Sequence, residues 1–353
     1  MKSKNNIIVP PNIPIKAALK KMDEMGEKTL FVADRQTRLL GAVTDGDIRR
    51  WILKGASLNR DLSCVMNPRP LAFTENYSKD EARNSMVSLG IECIPIVDEQ
   101  KRILSVIRWH DLFDKQFRKK KSLGLPVVIM AGGSGSRLSP FTNILPKPLI
   151  PIGEKPIIEL IMDRFMFFGC KDIYLSVHYR SNILKAYFKD NVHNYNIKYV
   201  DEEKPLGTIG SLHMLRDKIK TTFILSNCDI LIDADYSDIV QAHRDSKNDI
   251  TLIVSLKHYT IPYGICEIKN GGMLKNIQEK PEYDFLVNTG SYILEPSVLK
   301  DIPVNKCYHA TDLINSYIKK KKRLGVYPVS DKSWLDVGQW EEYQKSLRHF
   351  EAK

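Results

Sequence analysis

From position 126 onward, short apolar runs alternate with stretches of helical periodicity, and no other feature limits the fold as much. The run Val127-Val128-Ile129-Met130 has no polar face, and similar runs recur at 173–177, 223–225, 250–256 and 292–294. Strands buried on both sides read this way, because helices cover each face of a parallel sheet. The spacing predicts an α/β domain with a Rossmann-like, doubly wound and mostly parallel sheet. Ligands are then expected at the carboxyl ends of its strands.

The first run leads directly into Ala131-Gly132-Gly133-Ser134-Gly135-Ser136-Arg137. Small residues at such a turn let backbone N–H groups approach an anion closely. No GK[ST] follows at Walker spacing, and Leu138 stands where the dinucleotide fingerprint needs its third glycine. Alone, the loop reads equally as a plain tight turn. Arg137 at its end and the following Pro146-Lys147-Pro148 sharpen it. Two cations around one loop suit a triphosphate, and the flanking prolines fix the position of Lys147.

The segment from Met130 to Thr142, followed by Pro146-Lys147-Pro148, resembles the signature of the sugar-phosphate nucleotidyltransferases, with Ser136 where threonine is commoner. The resemblance continues in order through Lys155-Pro156 with Glu159, then Glu202-Glu203-Lys204-Pro205-Leu206-Gly207-Thr208. Ser226-Asn227-Cys228-Asp229 follows, with Cys228 where glycine is usual. Glu279-Lys280-Pro281, Asn288-Thr289-Gly290 and Trp334-Leu335-Asp336-Val337-Gly338 complete it.

This resemblance implies an enzyme in which a sugar 1-phosphate oxygen attacks the α-phosphorus of a nucleoside triphosphate and expels pyrophosphate. Two anions must be held together, so positioning and positive charge are what the protein has to supply. It implies Asp229 and Asp336 as Mg²⁺ ligands, Arg137 on the triphosphate, and Lys147 and Lys280 on the phosphates. Residues Ala131, Gly132, Gly133, Ser134, Gly135, Ser136, Glu202, Gly207 and Thr208 are implied to bind the nucleotide. Gly264, Glu279, Asn288 and Gly290 are implied to bind the sugar phosphate. His178 matches a histidine of related enzymes, with a polar loop role as the alternative. Phe165, Phe167 and Phe168 read as helix packing.

The first 120 residues carry a repeat. A shift of about 64 positions places Ala18, Met22, Gly26, Asp34, Arg38, Leu40 and Asp47 on Ala82, Met86, Gly90, Asp98, Arg102, Leu104 and Asp111 without a gap. Each copy reads as helix, strand, charged turn, strand and helix (α+β), and is too small to bury much alone. The pair resembles a tandem CBS module. In that family, positions matching Thr44 and Asp47 hold the phosphate and ribose of an adenine-type nucleotide. The second copy keeps Asp111 but has Arg108 in place of the threonine, which either pairs with phosphate or fills the site. An adenine or guanine nucleotide is the implied ligand, and a scaffold that only drives dimerisation is the alternative. Either way a homo-oligomer is expected. The expected division is residues 1–60 and 61–120 for the two copies, 121–126 for a linker and 127–353 for the catalytic domain.

The formal charge of +11 is spread along the chain, with local basic runs at 118–121 and 319–323. That favours polyanionic small molecules over nucleic acid as partners. No apolar run approaches the ~18 residues of a membrane span, and no secretory signal is visible. The six cysteines are far apart with no CxxC spacing. This argues against zinc and disulfides and for a reducing cytoplasm.

The 202–208 segment and the Pro-Lys-Pro form resemble guanylyl-transferring members, which implies GTP. The fusion to a CBS pair resembles a bacterial subgroup that makes GDP-glucosamine from glucosamine 1-phosphate for legionaminic acid or a surface glycan. Mannose- or heptose-1-phosphate guanylyl transfer, a uridylyltransferase and a non-catalytic nucleotide sensor are the rival readings.

Overall fold

The structure is a computed structural model that describes residues 7–89, 91–112, 122–190, 194–338, 340 and 343–344. Gly90 and the basic run at 118–121, both named above, lie outside them. The chain divides into two compact units, residues 1–119 and 120–353.

In the first unit, β1 (Ile8–Val9) leads to α1 (Ile15–Met25), β2 (Thr29–Ala33), β3 (Leu39–Thr44) and α2 (Asp45–Leu53). Helix α1 forms where Ile15, Ala18, Leu19 and Met22 recur at helical spacing, and all four are buried. It stops at Gly26, whose φ of +66° lets the Glu27 N–H reach the Met22 carbonyl. Strand β2 pairs parallel to β1 and antiparallel to β3. Helix α2 opens on a capping box. The Thr44 hydroxyl accepts from the Asp47 N–H, and the Asp47 carboxylate accepts from the Thr44 N–H at 2.8 Å.

Then follow α3 (Lys79–Leu89), the antiparallel pair β4 (Cys93–Val97) and β5 (Ile103–Arg108), and α4 (Trp109–Leu112). The two hairpins meet at their turns. Leu39 N–H donates to the Lys101 carbonyl and Ile103 N–H to the Thr37 carbonyl, both at 2.9 Å. These two bonds exchange under the same 64-residue shift that relates the sequences. Thr37 and Lys101 also share a left-handed backbone, φ +61° and +62°.

The second unit begins with β6 (Val127–Met130), β7 (Pro151–Ile152), β8 (Lys155–Pro156), α5 (Ile157–Phe167), β9 (Asp172–Val177), α6 (Ser181–Asp190) and β10 (Asn196–Asp201). It continues through β11 (Phe223–Asn227), β12 (Ile230–Ile232), α7 (Tyr236–Asp245), β13 (Ile250–Thr260), β14 (Ile265–Ile268), β15 (Leu274–Gln278) and β16 (Glu282–Leu294). It closes with α8 (Ala310–Lys319), β17 (Leu324–Val329) and β18 (Trp334–Asp336). Seven strands form one sheet in the order β10-β9-β6-β11-β16-β13-β17. All neighbours are parallel except those of β16, which runs antiparallel to both β11 and β13. The architecture is therefore α/β with a mostly parallel, mixed sheet.

Alternate residues of β6 feed two cores, one on each face. Val127 and Ile129 pack with α5 and α7 residues, while Val128 packs with Leu313 and Tyr317 of α8. This is why the run has no polar face. Phe165 and Phe168 meet Tyr236 edge-on at 5.0 and 5.5 Å, whereas Phe167 is 55% exposed. Each fully buried side chain of this size stabilises the fold by about 1.5–3 kcal/mol.

The structure adds elements that apolar runs alone did not mark. Strand β10 is an edge strand of alternating exposure, so it has no continuous apolar run. Residues 122–126, read above as linker, pack onto this unit: Leu125 is buried in its core and Leu123 N–H donates to the Phe168 carbonyl at 2.8 Å.

Candidate active site

The chain passes from β6 to β9 and β10 on one side, then returns to β11 on the other. The carboxyl end of β6 is thus the switch point where open α/β sheets bind ligands. Asn227 at the end of β11 pairs with Met130 at the end of β6. The glycine loop and the Cys228-Asp229 turn therefore leave the sheet side by side.

Within the loop each small residue has its own reason. Ala131 is buried, and its N–H donates to the Ser176 carbonyl at 2.8 Å. A Cβ on Gly132 would stand 3.1 Å from Glu202 Oε1 and 3.3 Å from His178 Cβ. Gly133 faces open space, leaving its backbone accessible. Gly135 has φ +69°, and a Cβ there would come within 2.8 Å of Thr142 and 3.0 Å of Lys147. Thr142 Oγ1 donates to the Gly135 carbonyl at 3.0 Å, folding the following segment back over the loop. Ser134, Ser136 and Arg137 are exposed at its rim.

That return brings Lys147 inward between buried Pro146 and Pro148, where its Nζ donates to Asp229 Oδ2. Both side chains are mostly buried, at 16% and 15% exposure. Burial alone would depress the Lys147 ammonium, but the Asp229 carboxylate holds its pKa above the ordinary lysine value. Burial, reinforced by Asp229, pushes the neighbouring Cys228 thiol up to about 12, so it stays protonated. Strand β18 pairs antiparallel with β12, setting Asp336 opposite Ile230, and Val337 N–H donates to the Asp229 carbonyl at 3.0 Å.

The clearest measure of convergence is at Gly338. A Cβ on it would lie 2.6 Å from Asp229 Oδ2, 2.8 Å from Asp336 Oδ1 and 3.2 Å from Lys147 Nζ. Residues distant in the chain thus meet at one point. Among the described residues no group of three or more His, Cys, Asp or Glu could hold a metal ion. Two carboxylates alone, Asp229 already accepting from Lys147 and Asp336 from the Gly338 N–H at 2.7 Å, fit only an ion that takes most of its oxygens from phosphates and water, as Mg²⁺ does.

Glu202 is buried under the loop, accepting from Ser176 Oγ at 2.7 Å and from the Leu206 N–H at 3.1 Å. Its carboxylate braces the glycine loop against the 202–208 segment. Gly207 (φ +81°) lies against Tyr308, whose carbonyl would be 2.7 Å from a Cβ. Thr208 Oγ1 accepts from the Ala310 N–H at 2.9 Å at the start of α8. Gly290 (φ +83°) packs on the Asn227 amide beside Asp229, and its N–H donates to Asn288 Oδ1 at 3.1 Å. A Cβ on Gly264 would be 2.9 Å from Glu279 Oε2. Glu279 and Lys280 are exposed, and Lys280 has φ +43°. Asn227, Thr142, Tyr308 and Gly338 carry site geometry to which the sequence reading gave no role. Thr142, Asn227 and Gly338 had a signal, their places in the Met130–Thr142, Ser226–Asp229 and Trp334–Gly338 motifs, whereas Tyr308 had none.

In the first unit, Thr44 and Asp47 are engaged with each other in the α2 cap. Arg108 N–H donates to Asp111 Oδ2 at 2.8 Å, and its guanidinium pairs with Glu27 at 3.0 Å, both side chains largely buried. The Arg108 side chain is thus committed within the protein. No described helix is long and apolar enough to cross a membrane.

Comparison with known proteins agrees with this geometry. The family described as nucleotidyl transferase matches residues 126–353, and the CBS domain family matches residues 1–54 and 60–118. The chain is 28% identical over 228 residues to the mannose-1-phosphate guanylyltransferase catalytic subunit beta of Drosophila pseudoobscura pseudoobscura, covering 62% of this chain. It spans 61% of that relative's length. It is 27% identical over 224 residues to the D-glycero-alpha-D-manno-heptose 1-phosphate guanylyltransferase of Campylobacter jejuni, covering 63% of this chain and 99% of that one. The crystal structure of HddC from Yersinia pseudotuberculosis complexed with GMP-PN matches with a TM-score of 0.51 and 26% identity, covering 64% of this chain and 99% of the other. The chain belongs to the nucleotidyl transferase family through residues 126–353, with a pair of CBS domains ahead of that region.

Proposed function

We propose that this protein is a sugar-1-phosphate guanylyltransferase that joins GTP to a sugar 1-phosphate, giving a GDP-sugar and pyrophosphate. The observation that carries this is the convergence of Asp229, Asp336 and Lys147 on Gly338, beside a glycine loop at the switch point of the sheet. Relatives named as mannose- and heptose-1-phosphate guanylyltransferases, and a related structure with GMP-PN, support the guanine base.

In this reading the triphosphate lies along the 131–137 loop, its oxygens meeting backbone N–H groups and Arg137 at the rim. The sugar 1-phosphate oxygen attacks the α-phosphorus in line. A new P–O bond forms as the bond to the bridging oxygen breaks, and the electron pair leaves on pyrophosphate. The attacking phosphate is already ionised, so no general base is needed. Lys147, kept charged by Asp229, supplies a fixed cation to the phosphates. Asp229 and Asp336 would hold Mg²⁺, which would supply positive charge to offset the charge that develops on the phosphates. Glu202 acts through the backbone it braces. Asn288, Gly290, Gly264, Glu279 and Lys280 form the sugar-phosphate side. Thr44 and Asp47 are the proposed nucleotide contacts of the CBS pair, with Asp111 and the internally paired Arg108 at the equivalent place in the second copy.

The sugar is read as glucosamine 1-phosphate. The mannose- and heptose-type relatives favour a manno-configured sugar as the second reading. A pyrophosphate-release panel tests both, with four nucleoside triphosphates against glucosamine, mannose and heptose 1-phosphates. Turnover with GTP and one of these sugars is expected. Preference for UTP or dTTP by tenfold or more would reject the guanylyl assignment.

A further inference from the structure

Lys147 is delivered to the site by a stretch of chain with little core of its own. Between the glycine loop and Lys147, residues 141–143 form a short 3₁₀ turn. From Phe141 to Ile144, Thr142 is buried, whereas Phe141 is 42% and Ile144 72% exposed. Thr142 ties the front of the turn to the Gly135 carbonyl, and Phe141 stacks on Trp340 at 5.4 Å. Asn143 and Ile144, nearer Lys147, are both exposed, so apolar burial does not fix where they lie.

The last carbonyls of a helical turn lack partners within it. Three in succession are taken here by two residues between β9 and α6. The Tyr179 hydroxyl donates to the Thr142 carbonyl at 3.4 Å. The Arg180 guanidinium donates to the Asn143 and Ile144 carbonyls, each at 2.6 Å, and its Nε donates to the Tyr179 hydroxyl at 2.9 Å. It also lies over the Tyr179 ring, 5.3 Å from the ring centre. Hydrogen bonds from a charged donor are the stronger class, and the planar fork of arginine fixes two acceptors at once. The Tyr179 N–H meanwhile reaches the Gly132 carbonyl at 3.4 Å. One short turn thus grips both the start of the glycine loop and the segment that folds back over it. Arg180 does so from a left-handed backbone, φ +53°, which side chains other than glycine seldom adopt. Such strain persists where surrounding contacts over-determine it, and it gathers at functional sites.

We propose that Arg180 is a positioning residue for nucleotidyl transfer, clamping the Asn143–Ile144 backbone so that Lys147 meets the phosphates. This rests on the reading of Lys147 as the fixed cation of that reaction. All three guanidinium nitrogens of Arg180 already donate within the protein, so it acts through Lys147 rather than on substrate. Ile144 lies three residues before Lys147, and Pro146 between them stiffens the link. A shift of the clamped carbonyls therefore passes to the lysine.

The test is Arg180→Gly, which removes the fork and suits the left-handed backbone, so the melting temperature should stay close to that of wild type. With GTP and a sugar 1-phosphate, kcat is expected to fall about 10- to 100-fold, the scale of reacting groups displaced by up to ~1 Å. KM for GTP should change by less than about threefold, as for an interaction realised in the transition state. Amide hydrogen exchange across residues 141–150, followed by mass spectrometry without substrates, should quicken by about tenfold or more. Lys247→Gly, which relieves a left-handed residue (φ +50°) outside the site, should change neither kcat nor this exchange. A kcat for Arg180→Gly within about threefold of wild type overturns the proposal. So does an effect confined to KM, or unchanged exchange across 141–150. If the wild type turns over no triphosphate, the guanylyl reading falls, and the exchange measurement decides the clamp by itself.

Discussion

Replacing Gly338 by alanine tests the convergence at the reaction centre with a single methyl group. The added carbon would sit 2.6 Å from Asp229 Oδ2 and 2.8 Å from Asp336 Oδ1, both under the 3.0 Å that real Cβ contacts respect. Each carboxylate must therefore retreat by about half an ångström, and Lys147 Nζ, 3.2 Å away, is crowded as well. Misplacing reacting groups by ~1 Å costs on the order of 100-fold in rate. A displacement of this size at both carboxylates at once predicts a fall in kcat/KM of about 30- to 100-fold, equivalent to ~2–2.7 kcal/mol of transition-state stabilisation. The collision is with side chains, so the fold should lose no more than about 1 kcal/mol. Coupled pyrophosphate-release kinetics at saturating metal and GTP measure the first quantity, and a thermal melt the second. Gly133→Ala is the control, since its methyl would enter open space; it should leave the melting temperature unchanged. If Gly338→Ala kept kcat/KM within threefold of wild type, the point where these residues meet would not be the reaction centre.

Other consequences are as direct. Asp229→Asn or Asp336→Asn should lower kcat by about 10³-fold or more, the scale of losing a charge placed for the transition state, while the chain stays folded. In the native protein iodoacetamide should label the exposed Cys64, Cys266 and Cys307 but not Cys93, Cys170 or Cys228, as intact-mass spectrometry at pH 8 would read out. Glu27→Gln leaves the largely buried Arg108 guanidinium without its counter-charge, and urea unfolding should report a loss of about 2 kcal/mol in the first unit. Burial works to raise the Asp301 carboxyl pKa, but the Tyr317 hydroxyl and Lys322 hold it below the ordinary value. Its contribution is therefore present above about pH 4 and lost as pH falls through the lowered pKa. Asp301→Asn should flatten the acid limb of the stability profile between pH 5 and pH 2.

Much of the fold could be read from residue order because β6, β9 and β11 are buried on both faces and so carry unbroken apolar runs. Edge strands and the distal half of β16 were harder. Strand β10 alternates in exposure, and the distal half of β16 is mostly polar or exposed, so its antiparallel insertion into the sheet left no mark in periodicity. The glycine loop, Lys147, Asp229 and Asp336 stood in recognisable motifs. Gly338 stood in one too, but its role as their meeting point was not legible, because it matters for the side chain it lacks. Glu202 shows a different limit. Its motif implied a place beside the nucleotide, but not the hydrogen bonds to Ser176 and Leu206 that bury it beneath the loop. The Arg108–Glu27 pair joins residues of the two copies, a contact that only the folded pair creates.

The most direct test of the central claim is pyrophosphate release by the purified full-length protein, with each substrate omitted in turn. Release from GTP is predicted only when a sugar 1-phosphate and a divalent cation are both present, with a GDP-sugar formed in equal amount. Release of pyrophosphate without a sugar 1-phosphate, or no release with any combination of the four triphosphates and three sugars by a folded protein, would contradict it.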